Sequence, residues 1–296
     1  MPHPLIFDRR LLRARRVRAA VRDPATFLVE RAADDLAGRL SAVLRKFDLA
    51  VDLGTPTDAV RSALADRVGV IVAVDPVASQ LAGERLAVAA DEEALPFRDA
   101  SLDLVVSALA LQFVNDLPGT LIQIRRALRP DGLFLAAMIG GDSLAELREA
   151  FAQAEAEVEG GLSPRVAPFA DLRDLGALLQ RAGFALPVTD VDRLTVRYAS
   201  PLALMHDLRR MGAGNALSER RRTLLRRATL QRVFEIYAER FADPDGRIRA
   251  TFEIVWLSGW APHESQQQPL KPGSAKTRLA DALRTQEVSA GEKAGS

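Results

Sequence analysis

Between Leu49 and Met138 the chain alternates short apolar runs with amphipathic segments. The runs occupy residues 50–54, 69–75, 86–91, 102–107 and 132–138. They are rich in Val, Leu and Ala and lack a clean apolar–polar alternation, a pattern that suits strands buried on both faces of a parallel sheet. The segments between them carry helical spacing, so the chain is expected to advance by right-handed crossovers. The expected fold class is therefore α/β, a doubly wound and mostly parallel sheet. Asp52, followed by Gly54, closes the first run, Asp75 the second and Asp91 the third. Carboxyl ends of neighbouring parallel strands lie along one edge, where open α/β sheets bind their ligands.

The spacing within this stretch suggests what such an edge would hold. Gly54 is the one glycine left in the turn after the first strand, and it would let a ligand approach the backbone. Asp75 follows it by about twenty residues, the interval at which a strand-end acid takes ribose hydroxyls in nucleotide-binding sheets. Asp91 and Glu92 follow the third strand, where a carboxylate can accept from an exocyclic amine between the apolar walls of Leu95 and Phe97. Ser107 closes the fourth strand, and Gln112 and Asn115 are the candidate polar contacts of the loop after it. Thr55 with Pro56, and Asp58 three residues on, has the form of a capped helix start.

Composition removes several classes of chemistry. The 296 residues contain no cysteine, which excludes thiol nucleophiles, cysteine-held zinc, iron–sulfur clusters and disulfides. A net charge of +1 gives no electrostatic case for nucleic acid. No apolar run is long enough to span a bilayer, and none near Met1 has the form of a signal core. With only His3, His206 and His263 available, no two-histidine, one-carboxylate metal site is read, and no metal is expected. No catalytic residue is assigned.

Outside the repeat, residues 1–46 are expected to form an N-terminal helical cap, 47–262 the main domain and 263–296 a polar, disordered tail with a short helix near 276–283. The first helix carries Arg9, Arg10, Arg13, Arg15, Arg16, Arg18 and Arg22. Its charged face reads first as solvated, with a cap over the ligand edge or a docking surface for an acidic partner as the alternatives. Residues 187–198 and 250–260 read as a closing strand pair, antiparallel to each other. Residues 217–241 read as one long basic helix.

The Gly54 turn, Asp75, Asp91 and the closing strand pair resemble the seven-stranded class I S-adenosylmethionine-dependent methyltransferases. That resemblance implies that Asp75 holds the ribose, that Asp91 holds the adenine amine, and that Asp52 and Gly54 lie beside the methionine part. A narrower likeness rests on Phe7-Asp8-Arg9 and on residues 90–97, 113–118, 140–148, 159–164 and 259–266. These segments resemble the complex I assembly factors of the methyltransferase fold. The implied activity is hydroxylation of an arginine on a protein substrate, a quinone-module subunit of respiratory complex I. The implied location is the bacterial cytoplasm, with peripheral association at the inner face of the membrane as the alternative. The chain departs from that family at Pro56, where a second glycine is usual, at Asp58, where a small residue is common, and at Gln112-Phe113, where His-Trp is usual. Pro56 removes a backbone donor, and Asp58 would oppose a cofactor carboxylate if it pointed inward. Two further readings therefore stand beside the first: a carboxyl O-methyltransferase of the malonyl-carrier-protein type, and a non-catalytic assembly factor with a degraded cofactor site.

Overall fold

Consecutive residues of the central strands enter two different apolar layers. On β4 (Leu102–Ala108), Val105 belongs to one layer, while Leu104 and Val106 belong to the other. On β5 (Leu128–Ile139), Phe134 and Ala136 alternate in the same way with Leu133 and Leu135. This is the period of two of an extended chain, with apolar residues at both phases. The first layer is covered by α4 (Leu117–Ala127) and α6 (Leu172–Arg181), through Leu121, Ile124, Leu175 and Leu179. The second is covered by α2 (Phe27–Ser41) and α3 (Ala59–Leu64), through Leu36, Leu40, Val60 and Leu64.

The computed structural model describes residues 5–267 and 279–286. With β1 (Phe47–Leu53), β2 (Val68–Asp75), β3 (Ala87–Ala89), β6 (Ala185–Tyr198) and β7 (Ile248–Trp260), the sheet has seven strands in the order β3-β2-β1-β4-β5-β7-β6. The pairs from β3 across to β5 are parallel, and β7 runs antiparallel to both β5 and β6. Strand order therefore reverses between β1 and β4, which opens a crevice at their carboxyl ends. A third apolar cluster joins α5 (Ala145–Glu159), α7 (Pro201–Arg210) and α8 (Arg227–Phe241) to the ends of β6 and β7, with Phe151, Leu204, Tyr237 and Phe252 at its centre. The first helix, α1, spans Arg9–Ala20. Met1–Pro262 forms one compact unit and His263–Ser296 another. The second unit contains α9 (Leu279–Leu283), while residues 268–278 and 287–296, on which much of the expected disorder fell, lie outside the described residues.

Several boundaries differ from the sequence reading, each for a local reason. The basic helix begins at Arg227, not at 217. Leu217 instead forms an antiparallel bridge with Phe7, and the Ser218 N–H donates to the Ile6 carbonyl at 2.8 Å, so this backbone is committed to the N-terminal segment. β5 begins at Leu128, ahead of the expected run at 132, with an irregularity in its pairing with β4 and Asp131 at φ 64°. β3 is three residues long because the chain turns away at Asp91. Gly140 is required by a close approach: a Cβ there would lie 2.4 Å from Glu253 Oε1 and 2.7 Å from Val255 Cγ2.

Leu104 is wholly buried in the layer under α2 and α3. Leu104→Ala is expected to lower the unfolding free energy by about 2–5 kcal/mol, measured by chemical denaturation, because the cavity it leaves is walled by other apolar side chains.

Candidate cofactor site

Gly54 ends β1 in the left-handed region at φ 73°, with its N–H donating to the Val74 carbonyl at 2.7 Å. A Cβ at this position would lie 2.8 Å from Glu92 Oε1 and 2.9 Å from the Ala110 Cβ. Both the conformation and the crowding require glycine. Thr55 does not cap α3. Its hydroxyl donates to Asp52 Oδ1 and accepts from the Ala108 N–H at 3.1 Å, pinning the turn across to β4. The helix starts four residues later, after Asp58, whose exposed side chain accepts from the Ser62 hydroxyl at 3.4 Å. Asp58 therefore does not face inward, whereas Pro56 lines the crevice.

The candidate side chains separate into two depths. Asp52 and Ser107 lie beneath the crevice. Asp52 is 1% exposed and pairs with Arg61 of α3, whose other nitrogen reaches Glu84 at 2.6 Å. Burial pushes the Asp52 carboxyl up to about 6 against the opposing pull of Arg61 and Thr55. The Ser107 hydroxyl donates to the Leu53 carbonyl at 2.7 Å. Gly54, Glu92 and Gln112 line the crevice itself. Asp75 and Asp91 do not line it themselves; each is engaged by an arginine of α1, and Arg9 and Arg16 of that helix do line the crevice. Asp75 Oδ1 accepts from the Val77 N–H at 2.7 Å, and its Oδ2 lies 2.5 Å from Arg16. Asp91 pairs with Arg13 and, at 2.8 Å, with Arg9. Glu92 pairs with Arg9, which also reaches Glu93 at 2.8 Å. Burial raises the carboxyl pKa values of Asp75 and Glu92 despite these cations.

The crevice encloses about 1150 Å³ of atom-free space, counting its mouth. Its walls are largely apolar, including Leu109, Phe113, Phe169 and Met211. Gln112 donates through Nε2 to the Leu109 carbonyl at 2.7 Å, while its Oε1 is buried without a hydrogen-bond partner. A buried acceptor left over at the wall, beside a glycine with no room for a Cβ, fits a ligand carrying N–H or O–H donors. Asn115 serves the scaffold instead. Its side chain accepts from the Phe7 N–H at 2.8 Å and donates to the Phe7 carbonyl at 3.2 Å. Phe7 in turn stacks edge-on against Phe113 with ring centroids 5.7 Å apart. The solvated reading of α1 is thus replaced by the cap: its arginines were visible in the sequence, but their partners lie some 60 to 80 residues away. Among the described residues, no group of three or more His, Asp or Glu is placed to hold a metal ion.

Strand order, the glycine turn and the strand-end acids define a protein of the class I methyltransferase fold. A methyltransferase-domain family profile matches residues 51–136. A solved methyltransferase-type structure from Bacillus halodurans C-125 superposes with a TM-score of 0.54 at 18% identity, covering 77% of this chain and 99% of that one, a likeness of fold. The mouse protein arginine-hydroxylase NDUFAF5, mitochondrial, is 40% identical over 298 residues, which cover 97% of this chain and 87% of the mouse protein. The chain belongs to this arginine-hydroxylase NDUFAF5 family. A malonyl-[acyl-carrier protein] O-methyltransferase of Laribacter hongkongensis is 42% identical over 186 residues, covering 63% of this chain and 60% of that protein.

The buried Asp52 makes stability depend on pH. Its folded pKa of about 6 lies above the unfolded value of about 3.9, so the folded state binds more protons between the two. The contribution favours the fold below pH 4 and is lost as pH rises through 6. In chemical denaturation from pH 4 to 7, the stability difference between the wild type and Asp52→Asn should change between pH 4 and 6 and be constant above. A difference that stays flat over the whole range would contradict the dominance of burial.

Proposed function

We propose that this chain binds S-adenosylmethionine at the β1/β4 crevice and modifies an arginine of a protein substrate, a quinone-module subunit of respiratory complex I. The observation that carries this reading is the end-to-end likeness to an arginine hydroxylase, 40% identical over 97% of the chain. In this reading Asp75 takes the ribose hydroxyls, Asp91 and Glu92 the adenine amine, and Gln112 Oε1 a ligand donor at the wall. Gly54 admits the cofactor close to the backbone. When bound, S-adenosylmethionine supplies an electrophilic methyl group on a sulfonium. The apolar walls at Leu109, Phe113 and Phe169 exclude water from the reacting groups. Hydroxylation exchanges a C–H for a C–OH and draws on a separate oxidant as co-reactant. No helix among the described residues is long and apolar enough to cross a membrane. The proposed place of action is the bacterial cytoplasm or the inner face of the membrane, where an assembling subunit is reached.

The carboxyl O-methyltransferase reading is favoured by the Laribacter relative, at 42% identity over 63% of the chain. Intact-mass analysis of the quinone-module subunit, isolated with and without this gene, separates the two. A gain of one oxygen that requires the gene supports arginine hydroxylation. An unchanged subunit, together with methyl-ester formation on a malonyl-carrier substrate, supports the second reading.

Titration calorimetry with S-adenosylmethionine tests the crevice itself. Asp75→Ala is expected to abolish measurable binding, since ribose recognition would lose its acceptor. Affinity equal to that of the wild type would displace the site. No binding by the wild type or by any variant would leave the non-catalytic assembly factor as the reading.

A further inference from the structure

Helix α1 is attached to the molecule in an unusual way. Of its twelve residues only Leu12 and Ala19 are buried apolar side chains. Its hold on the sheet edge is mainly ionic, while on its other side Arg15 donates to the Asn215 carbonyl and Arg16 packs close against Gly212. Arg9, Arg13 and Arg16, at i, i+4 and i+7, share one helical face. They engage Asp91, Glu92, Glu93 and Asp75, and Arg16 also donates to the Gly54 carbonyl at 3.2 Å. Both ends of this contact are withdrawn from water, with the Arg16 side chain 10% exposed and that of Asp75 4%.

These are the carboxylates that the cofactor reading assigns to adenosine. Both oxygens of Asp75 are already engaged, one by the Val77 N–H and one by Arg16. A ribose seated there must take the place of the guanidinium. A buried carboxylate that loses its cation is left at high cost unless another donor or positive charge arrives in the same event. S-adenosylmethionine brings both: hydroxyl and amine donors, and a net positive charge from its sulfonium and ammonium set against one carboxylate. S-adenosylhomocysteine brings the donors without the net charge.

We propose that α1 is a latch that closes the cofactor crevice by occupying its carboxylates with Arg9, Arg13 and Arg16, and that the cationic nucleoside opens it by exchange. This rests on the reading that Asp75 and Asp91 hold the nucleoside. The hinge is the segment just before the helix, which is held independently of the latch. Phe7 is bridged to Leu217 and bonded on both sides by Asn115, and the Asp8 N–H donates to the Ala216 carbonyl at 2.8 Å. Beyond the helix, Asp23 at φ 56° and Pro24 break the chain before α2, and Arg210 of α7 holds Asp23 through its carbonyl at 2.7 Å and its carboxylate at 2.6 Å, a second anchor about which α1 turns without unwinding its neighbour. S-adenosylhomocysteine, without the net charge, competes less well for the carboxylates, and the latch recloses as it leaves.

The test uses the full-length chain, with calorimetry for affinity and amide hydrogen exchange for α1. Arg16→Gln is expected to bind S-adenosylmethionine about tenfold tighter than the wild type, because the competent open state is no longer held down. Wild-type α1 amides should exchange faster with S-adenosylmethionine bound than without, and less so with S-adenosylhomocysteine. Arg18→Gln, on the outer face of the same helix, should leave affinity unchanged, and Arg16→Lys serves if the glutamine variant fails to fold, with tightening in the same direction. Affinity unchanged or weakened in the Arg16 variants, or slower α1 exchange on binding, overturns the latch. Asp75→Ala separates the two failures. If it abolishes binding while the Arg16 variants do not bind more tightly, the latch alone is wrong. If it leaves affinity intact, the site reading beneath the latch has failed as well.

Discussion

Asp52, Asp75 and Glu92 are withdrawn from water at one edge of the sheet, and each is paired with a guanidinium. Desolvation is the largest influence on all three carboxyl groups, and the arginines oppose it. An uncompensated carboxylate in such a place would be several kcal/mol too costly to retain. The architecture of the edge follows from how each pairing is supplied. Arg61 comes from α3, the helix that directly follows the Gly54 turn, and so Asp52 is settled within the scaffold. Arg9 and Arg16 come from a helix outside the sheet, and so Glu92 and Asp75 are settled by a part of the chain whose hold on the sheet edge is mainly ionic. The same charge rule therefore yields one fixed pair and two exchangeable ones.

The sheet provides the rigid side of this arrangement. Its strands present apolar residues at both phases of the extended chain, so that each face carries its own helical layer and neither can shift without opening a void. The reversal of strand order beside β1 leaves a gap between layers at the carboxyl edge. Gly54, Thr55 and Ser107 then lock the floor of that gap through backbone conformation and two cross-strand hydrogen bonds. The third cluster, around Tyr237 and Phe252, builds the far wall from segments that the shorter methyltransferase-domain profile at 51–136 does not include. What distinguishes this chain from a minimal member of the fold thus lies in the cap and the far wall.

Much of this was legible in the residues alone. The apolar runs and the acids at their ends identified the sheet and the edge along which those acids stand, because strand burial and strand-end position are properties of a local window. Boundaries failed where a distant segment captured the backbone. Residues 217–226 have a helix-compatible composition, yet Leu217 and Ser218 pair with the N-terminal segment, and no local signal marks a bridge across some 210 residues. Thr55 read as a cap because its spacing to Asp58 is right, whereas its hydroxyl is held by Asp52 and the backbone of β4.

The sequence by itself determined that a doubly wound sheet would form and which carboxylates would stand at the ends of its strands, since periodicity and strand termini act over a few neighbouring residues. Only the tertiary structure decided that Glu92 faces the crevice, that Asp52 is sealed beneath it, and that Arg9, Arg13 and Arg16 engage Glu92, Asp91 and Asp75. The reason is physical: a desolvated charge selects its partner by distance in space, and distance in space is set by the packing of the whole chain.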